Sequence, residues 1–163
     1  MALNKMKIYW VLLLMVFLLG CKDRPGQKEY LEITKIPRSD DSGRLAKFSA
    51  YPIEKQIDIY LYPQRYEEGG SVAFLYYLGD EGKNKIPHIA KRIDESSNWL
   101  DKVYLINVLE FIDLNCQCVA DDADSLALLI KNEEAVKPED GKAISSSKEL
   151  YSKQVHRIRD RDK

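Results

Sequence analysis

The most reactive side chains in this sequence are two cysteines with one residue between them, Cys116-Gln117-Cys118. In an oxidising compartment two such thiols are expected to pair, although an extended backbone points them to opposite sides and the small ring is strained. Such a bridge is readily reduced, and soft thiolates also bind copper. The pair predicts either a redox or metal site, or cysteines that act as small buried hydrophobic residues. We favour the second interpretation, because no other cysteine pair, methionine cluster or nearby histidine accompanies them.

No other group of polar residues has the spacing of a catalytic or metal site. The acidic run Asp121-Asp122-Ala123-Asp124 does not fit the calcium loop of an EF-hand, because Leu126 and Ala127 stand where an oxygen ligand and a glycine are needed. His88 and His156 are isolated, and the sequence has no HExxH pair, nucleophile elbow or phosphate-binding loop. We therefore predict a protein that is not an enzyme and that has no cofactor and no metal.

Tyrosine is abundant, with 10 in the chain. Tyrosine is favoured at protein interfaces because it brings a large contact area and a polar tip at low entropic cost. Tyrosine is equally common at the edge of a small core, so both interpretations stay open. The candidate interface residues are Tyr60, Tyr62, Tyr66, Tyr76 and Tyr77.

The amino terminus has the pattern of a secretory signal. Lys5 and Lys7 precede an uninterrupted apolar run from Ile8 to Leu19. A membrane-spanning helix needs about 20 apolar residues, so this run is too short to be a comfortable span. We therefore predict that residues 1–20 are a signal peptide.

The end of this run, Leu18-Leu19-Gly20-Cys21, resembles the lipobox of bacterial lipoproteins. The resemblance implies that Cys21 is alkylated with diacylglycerol, that the chain is cut before it, and that the new amino group is acylated. Two or more acyl chains hold a protein firmly in a bilayer, since each buried CH₂ contributes about 0.8 kcal/mol. The lipobox thus implies a protein anchored to the bacterial cell membrane or outer membrane, with its body outside the cytoplasm.

Length and charge limit what this body can be. The 163 residues suffice for one domain, and 45% of them are apolar. The 25 basic residues are matched by 26 acidic ones, so the basic surface that phosphate binding requires is absent and nucleic acid is excluded as a partner. We divide the chain into the signal peptide, a flexible tether over residues 21–47 with one short ordered piece near Tyr30, and a helical domain over residues 48–163.

Apolar spacing in the domain predicts five or six packed α helices. The segment 72–78 is apolar all round and predicts a short buried helix, and 99–114 is apolar on two faces and predicts the central helix of the core. Asn84 is the expected N-cap of a helix with Pro87 in its first turn. Residues 57–62 are rich in β-branched and aromatic residues and precede Pro63, so a strand is the alternative to the favoured helix there.

The stretch from Lys85 to Ile112 resembles one HEAT repeat. Pro87 lies in its first helix, Ile89 and Ile93 follow, and Asp94 begins the polar turn before the second helix. Asp101 departs from the pattern where an arginine is usual, and the motif has low specificity. The resemblance implies paired helices, HEAT-like or armadillo-like, that form a scaffold for binding protein or peptide.

These observations lead to the hypothesis of a lipid-anchored envelope lipoprotein that binds an unidentified protein without catalysis. A more specific version is an immunity or inhibitor protein that neutralises a toxin or lytic enzyme. The alternative is a redox or metal-binding envelope protein that uses Cys116 and Cys118.

Overall fold

The computed structural model describes residues 24–67, 72–80, 82–136 and 146–160. In these ranges it contains eight α helices and no β strand, which confirms the all-α class but exceeds the five or six helices expected. A 3-10 turn, Gly82–Lys85, precedes α5. The helices are α1 (Gln27–Thr34), α2 (Asp41–Ser49), α3 (Ile53–Tyr66), α4 (Val72–Gly79), α5 (Ile86–Glu95), α6 (Trp99–Cys116), α7 (Ala123–Glu134) and α8 (Ser146–Arg159).

The described helices form two layers, because each helix packs beside the helix two places further along the chain. In one layer α1 packs against α3, α3 against α5, and α5 against α7. In the other layer α2 packs against α4, α4 against α6, and α6 against α8. Each odd-numbered helix also contacts the even-numbered helix that follows it. The described chain is therefore a side-by-side stack of four helix pairs.

Side-chain contacts between α3 and α5 show that these two helices run in parallel. Glu54 contacts His88 at 3.0 Å, and Asp58 contacts Arg92 one turn further along both helices. Both pairs join residues that are 34 positions apart in the chain. Helices α6 and α8 are also parallel, with contacts between residues 47 positions apart, so the neighbouring helix pairs differ in length.

The segment 21–47 differs from the flexible tether that the sequence predicted. Its described part contains α1 and most of α2, and the side chains of Tyr30 and Ile33 are buried in the core. The Tyr30 ring lies 5.2 Å from that of Tyr62 in α3. Helices of eight or nine residues are too short to show a sustained apolar pattern, so tertiary burial decides that they form.

Residues 57–62 are helical, as favoured, within the continuous helix α3. Pro63 was expected to end the helix, yet α3 continues for one more turn, and the Glu67 N–H donates to the Pro63 carbonyl oxygen at 3.0 Å. Proline costs a helix about 3 kcal/mol because it removes a hydrogen bond and crowds the preceding turn. Burial of the α3 side chains, among them Ile57 and Leu61, offsets this cost.

The later helices agree with the sequence patterns apart from one cap. Asn98 caps α6 by accepting from the Leu100 N–H at 3.0 Å, and Asp122 caps α7 by accepting from Ser125 N–H at 2.9 Å. α6 is the central helix, with contacts to α3, α4, α5 and α8. Asn84 is not a cap, because the 3-10 turn occupies that position and α5 begins at Ile86.

Candidate functional site

Helix α4 has an exposed apolar face, although its sequence predicted a helix buried on all sides. Val72 and Tyr76 lie one turn apart on α4 and are 63% and 53% exposed. Leu114, near the end of α6, is 66% exposed. We call these three side chains the apolar ridge. Large apolar groups that gather at the surface of a protein commonly mark a binding site.

A groove, the α4–α6 cleft, lies beside the apolar ridge. It has a volume of about 360 Å³ and is lined mainly by apolar and aromatic side chains of α3, α4 and α6. Glu110 is the one charged residue among its described lining residues, and its carboxylate forms an ion pair with Arg157 of α8 at 2.7 Å. The lining residues are Tyr60, Gln64, Val72, Leu75, Tyr104, Asn107, Glu110, Phe111 and Leu114.

A second and larger groove, the disulfide cleft, has Tyr76 in its wall. Its volume is about 920 Å³, and its walls come from α2, α4, the 3-10 turn and the end of α6. The rings of Tyr76 and Phe111 meet edge to face with centroids 5.1 Å apart, and Phe111 lines both clefts. The walls include the polar residues Asp80 and Lys83. This cleft is therefore more polar than its neighbour.

The two candidate redox cysteines form a disulfide at the edge of this cleft. Their Cα atoms are 5.1 Å apart, and Gln117 between them has a left-handed φ of 53°. In an extended chain the two Cα atoms would be about 7 Å apart, which is too far for a bond. The left-handed residue therefore overcomes the geometric objection that the sequence raised against pairing. Cys116 is exposed and lines the cleft, whereas Cys118 is 6% exposed.

Buried Asp113 holds this turn in place, a role that the sequence did not indicate. Its backbone oxygen accepts from the Gln117 N–H at 2.8 Å, and its carboxylate accepts from the Val119 N–H at 3.1 Å. A carboxylate three residues before the end of a helix was the only signal in the sequence. In the sequence such a residue cannot be distinguished from a solvent-exposed acid, because it is buried only when the chain after α6 turns back over it.

The five tyrosines proposed for an interface have different surroundings. Tyr60, Tyr62 and Tyr77 are buried in the core, so a partner cannot contact more than the edges of their rings. Tyr66 and Tyr76 are exposed, and Tyr76 belongs to the apolar ridge. The interface hypothesis therefore rests on the last two residues.

The remaining polar candidates have structural partners. His88 contacts Glu54 of α3, and His156 contacts Glu133 of α7 at 2.8 Å. Asp122 is the α7 cap described above. In the described ranges no three histidine, cysteine, aspartate or glutamate side chains gather as a metal site would require.

Burial changes the ionisation of several tyrosines near these clefts. Burial and the hydrogen bond to Asp41 raise the pKa of Tyr77 to about 12. Burial likewise raises the pKa of Tyr60 and of Tyr151 above the ordinary value of 10.0. Lys102 shifts in the opposite sense, since burial lowers the pKa of its ammonium group.

The raised tyrosine pKa values predict a loss of stability at high pH. Above pH 10 the unfolded chain releases phenolic protons that the folded protein retains, so the free energy of unfolding falls as the pH rises from 10 towards 12. Each retained proton costs about 1.4 kcal/mol per pH unit in this window. Urea unfolding at pH 9 and pH 11 measures the loss, which we expect to be smaller in Tyr60→Phe. An equal loss in that variant would show that Tyr60 makes no contribution.

Comparison of the chain with models of known protein families, with curated protein sequences and with solved structures finds no match. No helix among the described residues is both long enough and apolar enough to cross a membrane. The predicted signal peptide and Cys21 lie outside the described residues.

Proposed function

We propose that this protein is a membrane-anchored, non-catalytic module that binds another protein through the apolar ridge and the α4–α6 cleft. The observation that carries the proposal is the exposure of Val72, Tyr76 and Leu114 beside an apolar groove. Complete burial of a fully exposed side chain of this size gains about 1.5–3 kcal/mol, and these three side chains, which are 53–66% exposed, would gain part of that each. A partner that presents apolar side chains to the groove therefore fits it best.

The stacking of helix pairs supports a scaffold for binding. In repeat proteins stacked pairs form extended surfaces with little chemistry of their own. The offset between paired residues is 34 for α3 and α5 and 47 for α6 and α8, whereas HEAT repeats have about 40–47 residues. We therefore propose an α-solenoid whose helix pairs differ in length, of which the HEAT-like stretch is one pair.

The lipobox supports anchoring through an acylated Cys21. Helix α1 begins at Gln27, six residues later, and an extended chain spans at most about 3.6 Å per residue. The helical body would then lie within roughly 20 Å of the bilayer. Because α1 is packed into the core, no long tether separates this body from the anchor. Its partner must therefore approach the surface of the cell membrane or of the outer membrane.

The more specific proposal is an immunity or inhibitor protein. A small anchored scaffold with an open groove suits a protein that blocks a toxin or lytic enzyme by covering it. Such a partner would supply the apolar residues that fill the cleft.

Photo-crosslinking tests the binding surface in native membranes. We place p-benzoylphenylalanine at Leu114 in the full-length protein, and at Leu31 of α1, which is 45% exposed, as the matched control. We expect one discrete crosslinked protein from position 114 and none from position 31. The crosslink should disappear when Tyr76→Asp is added, because a charge in the ridge opposes its burial.

Identical crosslinks from both positions, or none from either, would contradict this surface. A Cys21→Ala variant tests the anchor separately. We expect mass spectrometry to show an uncut chain without acyl groups, while the helical circular dichroism spectrum is unchanged.

The alternative function is redox chemistry at Cys116 and Cys118. Their disulfide favours a redox role over a metal site, because paired sulfurs offer no thiolate to a metal ion.

A further inference from the structure

The Cys116–Cys118 disulfide contributes little to holding the fold together. A disulfide stabilises a protein mainly by restricting the unfolded chain, and this effect shrinks with the length of the loop it closes. Here the loop contains one residue, and both cysteines belong to the same end of α6. The bond joins no two separate helices, so structural stabilisation does not explain its position.

Hydrogen bonds hold the turn without help from the sulfurs. Asp113 accepts from Gln117 and from Val119, on both sides of Cys118, and Val119 is completely buried. Because the backbone is fixed in this way, the two thiols remain neighbours after the disulfide opens. The pair can then close again without any rearrangement of the chain.

The backbone conformation of Gln117 is a second observation that points to a functional role for this turn. It is the only non-glycine residue with positive φ among the residues that the structure describes. Such conformations cost free energy and gather at functional sites, where the surroundings enforce them. Here the conformation brings Cys116 and Cys118 within bonding distance.

The two sulfurs differ in access. Cys116 is exposed and lines the disulfide cleft, whereas Cys118 faces the core. An incoming thiolate can therefore reach the Cys116 sulfur, and Cys118 becomes the leaving group. The cleft beside Cys116 also contains Tyr76 and Phe111, whose rings can pack against a peptide that carries the thiol.

We propose that Cys116 and Cys118 form a thiol–disulfide exchange site for cysteine pairs of protein segments that bind in the disulfide cleft. A deprotonated partner cysteine attacks the Cys116 sulfur and forms a mixed disulfide, and the Cys118 thiolate leaves and takes up a proton. The second partner cysteine, on losing its proton, attacks the mixed disulfide and releases Cys116, which is protonated in turn. The partner dithiol is oxidised, and the Cys116–Cys118 disulfide is reduced to two thiols.

A dithiol peptide tests this reaction and does not depend on the proposed protein partner. The test uses full-length protein in detergent with Cys21→Ser, so that only Cys116 and Cys118 react. We expect the reduced peptide to lose two thiols for every disulfide opened, as counted by alkylation and mass spectrometry, while the helical circular dichroism spectrum is unchanged. A bond that the peptide opens only after urea unfolds the protein, or whose opening removes the helical signal, would overturn the proposal.

Two further variants test the direction of attack. With a peptide disulfide as the probe, Cys118→Ser, which leaves Cys116 free, should react at least about ten-fold faster than Cys116→Ser. Equal rates in folded proteins would refute the assigned roles.

Since either variant can misfold, Tyr76→Ala supplies an independent test in which both cysteines remain. It should slow reduction by the peptide but not by dithiothreitol, and equal slowing by both reductants would exclude binding in the cleft.

Discussion

Replacing Arg65 with methionine is expected to lower the free energy of unfolding by about 3–5 kcal/mol. The Arg65 guanidinium in α3 donates two hydrogen bonds to the Asp101 carboxylate in the first turn of α6, one of them at 2.7 Å. Asp101 is only 3% exposed, so without Arg65 its charge is buried and poorly compensated. Its remaining side-chain contact is the Ser96 hydroxyl at 3.3 Å. Urea unfolding followed by circular dichroism measures the loss.

The double variant Arg65→Met, Asp101→Leu is the matched control. Because it removes both charges, it should recover most of the lost stability. If the double variant is as unstable as Arg65→Met alone, packing around the methionine accounts for the loss, and the ion pair does not. Asp101 is the residue that stands where the HEAT pattern usually has an arginine.

Replacing Gly26 with alanine is expected to cost about 2–5 kcal/mol. Gly26 has a φ of 78°, where an L side chain costs about 1–2 kcal/mol, and overpacking adds about 1–3 kcal/mol. An alanine Cβ would press on the Asp58 carbonyl group and lie 2.7 Å from the Ile59 nitrogen. Both are backbone atoms of α3 and cannot rotate away. Thermal or urea unfolding gives the size of the effect.

Gly43→Ala in α2 is the control for this substitution. Its new Cβ would meet only the Asp40 side chain, which can rotate away. The loss of the Asp40 cap and the gain in helix propensity are each about 1 kcal/mol and oppose each other. We expect a net change within about 1 kcal/mol. If Gly26→Ala is equally mild, α1 is not docked on α3 as described, and the tether prediction would regain support.

The consequence for function concerns the distance to the membrane. A flexible tether would let the domain search a wide zone above the bilayer, whereas a docked α1 keeps the body beside the proposed anchor at Cys21. The Gly26 experiment therefore also tests how close to the membrane a partner must approach.

The sequence alone determined the all-α class and the positions of the longer helices, because these depend on apolar periodicity within one segment. Helix caps are equally local, since Asn98 and Asp122 act on backbone N–H groups only two and three residues away. The strand alternative at residues 57–62 was harder to exclude. Burial in the core, which no local pattern reveals, makes that segment a helix.

Only the tertiary structure decided which apolar surfaces are covered. Nothing in the segment 72–78 distinguishes Val72 and Tyr76, which remain exposed, from Phe74 and Leu78, which α4 buries. The helicity of α1, the role of Asp113 and the pairing of Arg65 with Asp101 likewise depend on partners 6 to 37 residues away. The physical reason is that burial and charge compensation are properties of the packed chain. A local segment does not indicate which distant residues will pack against it.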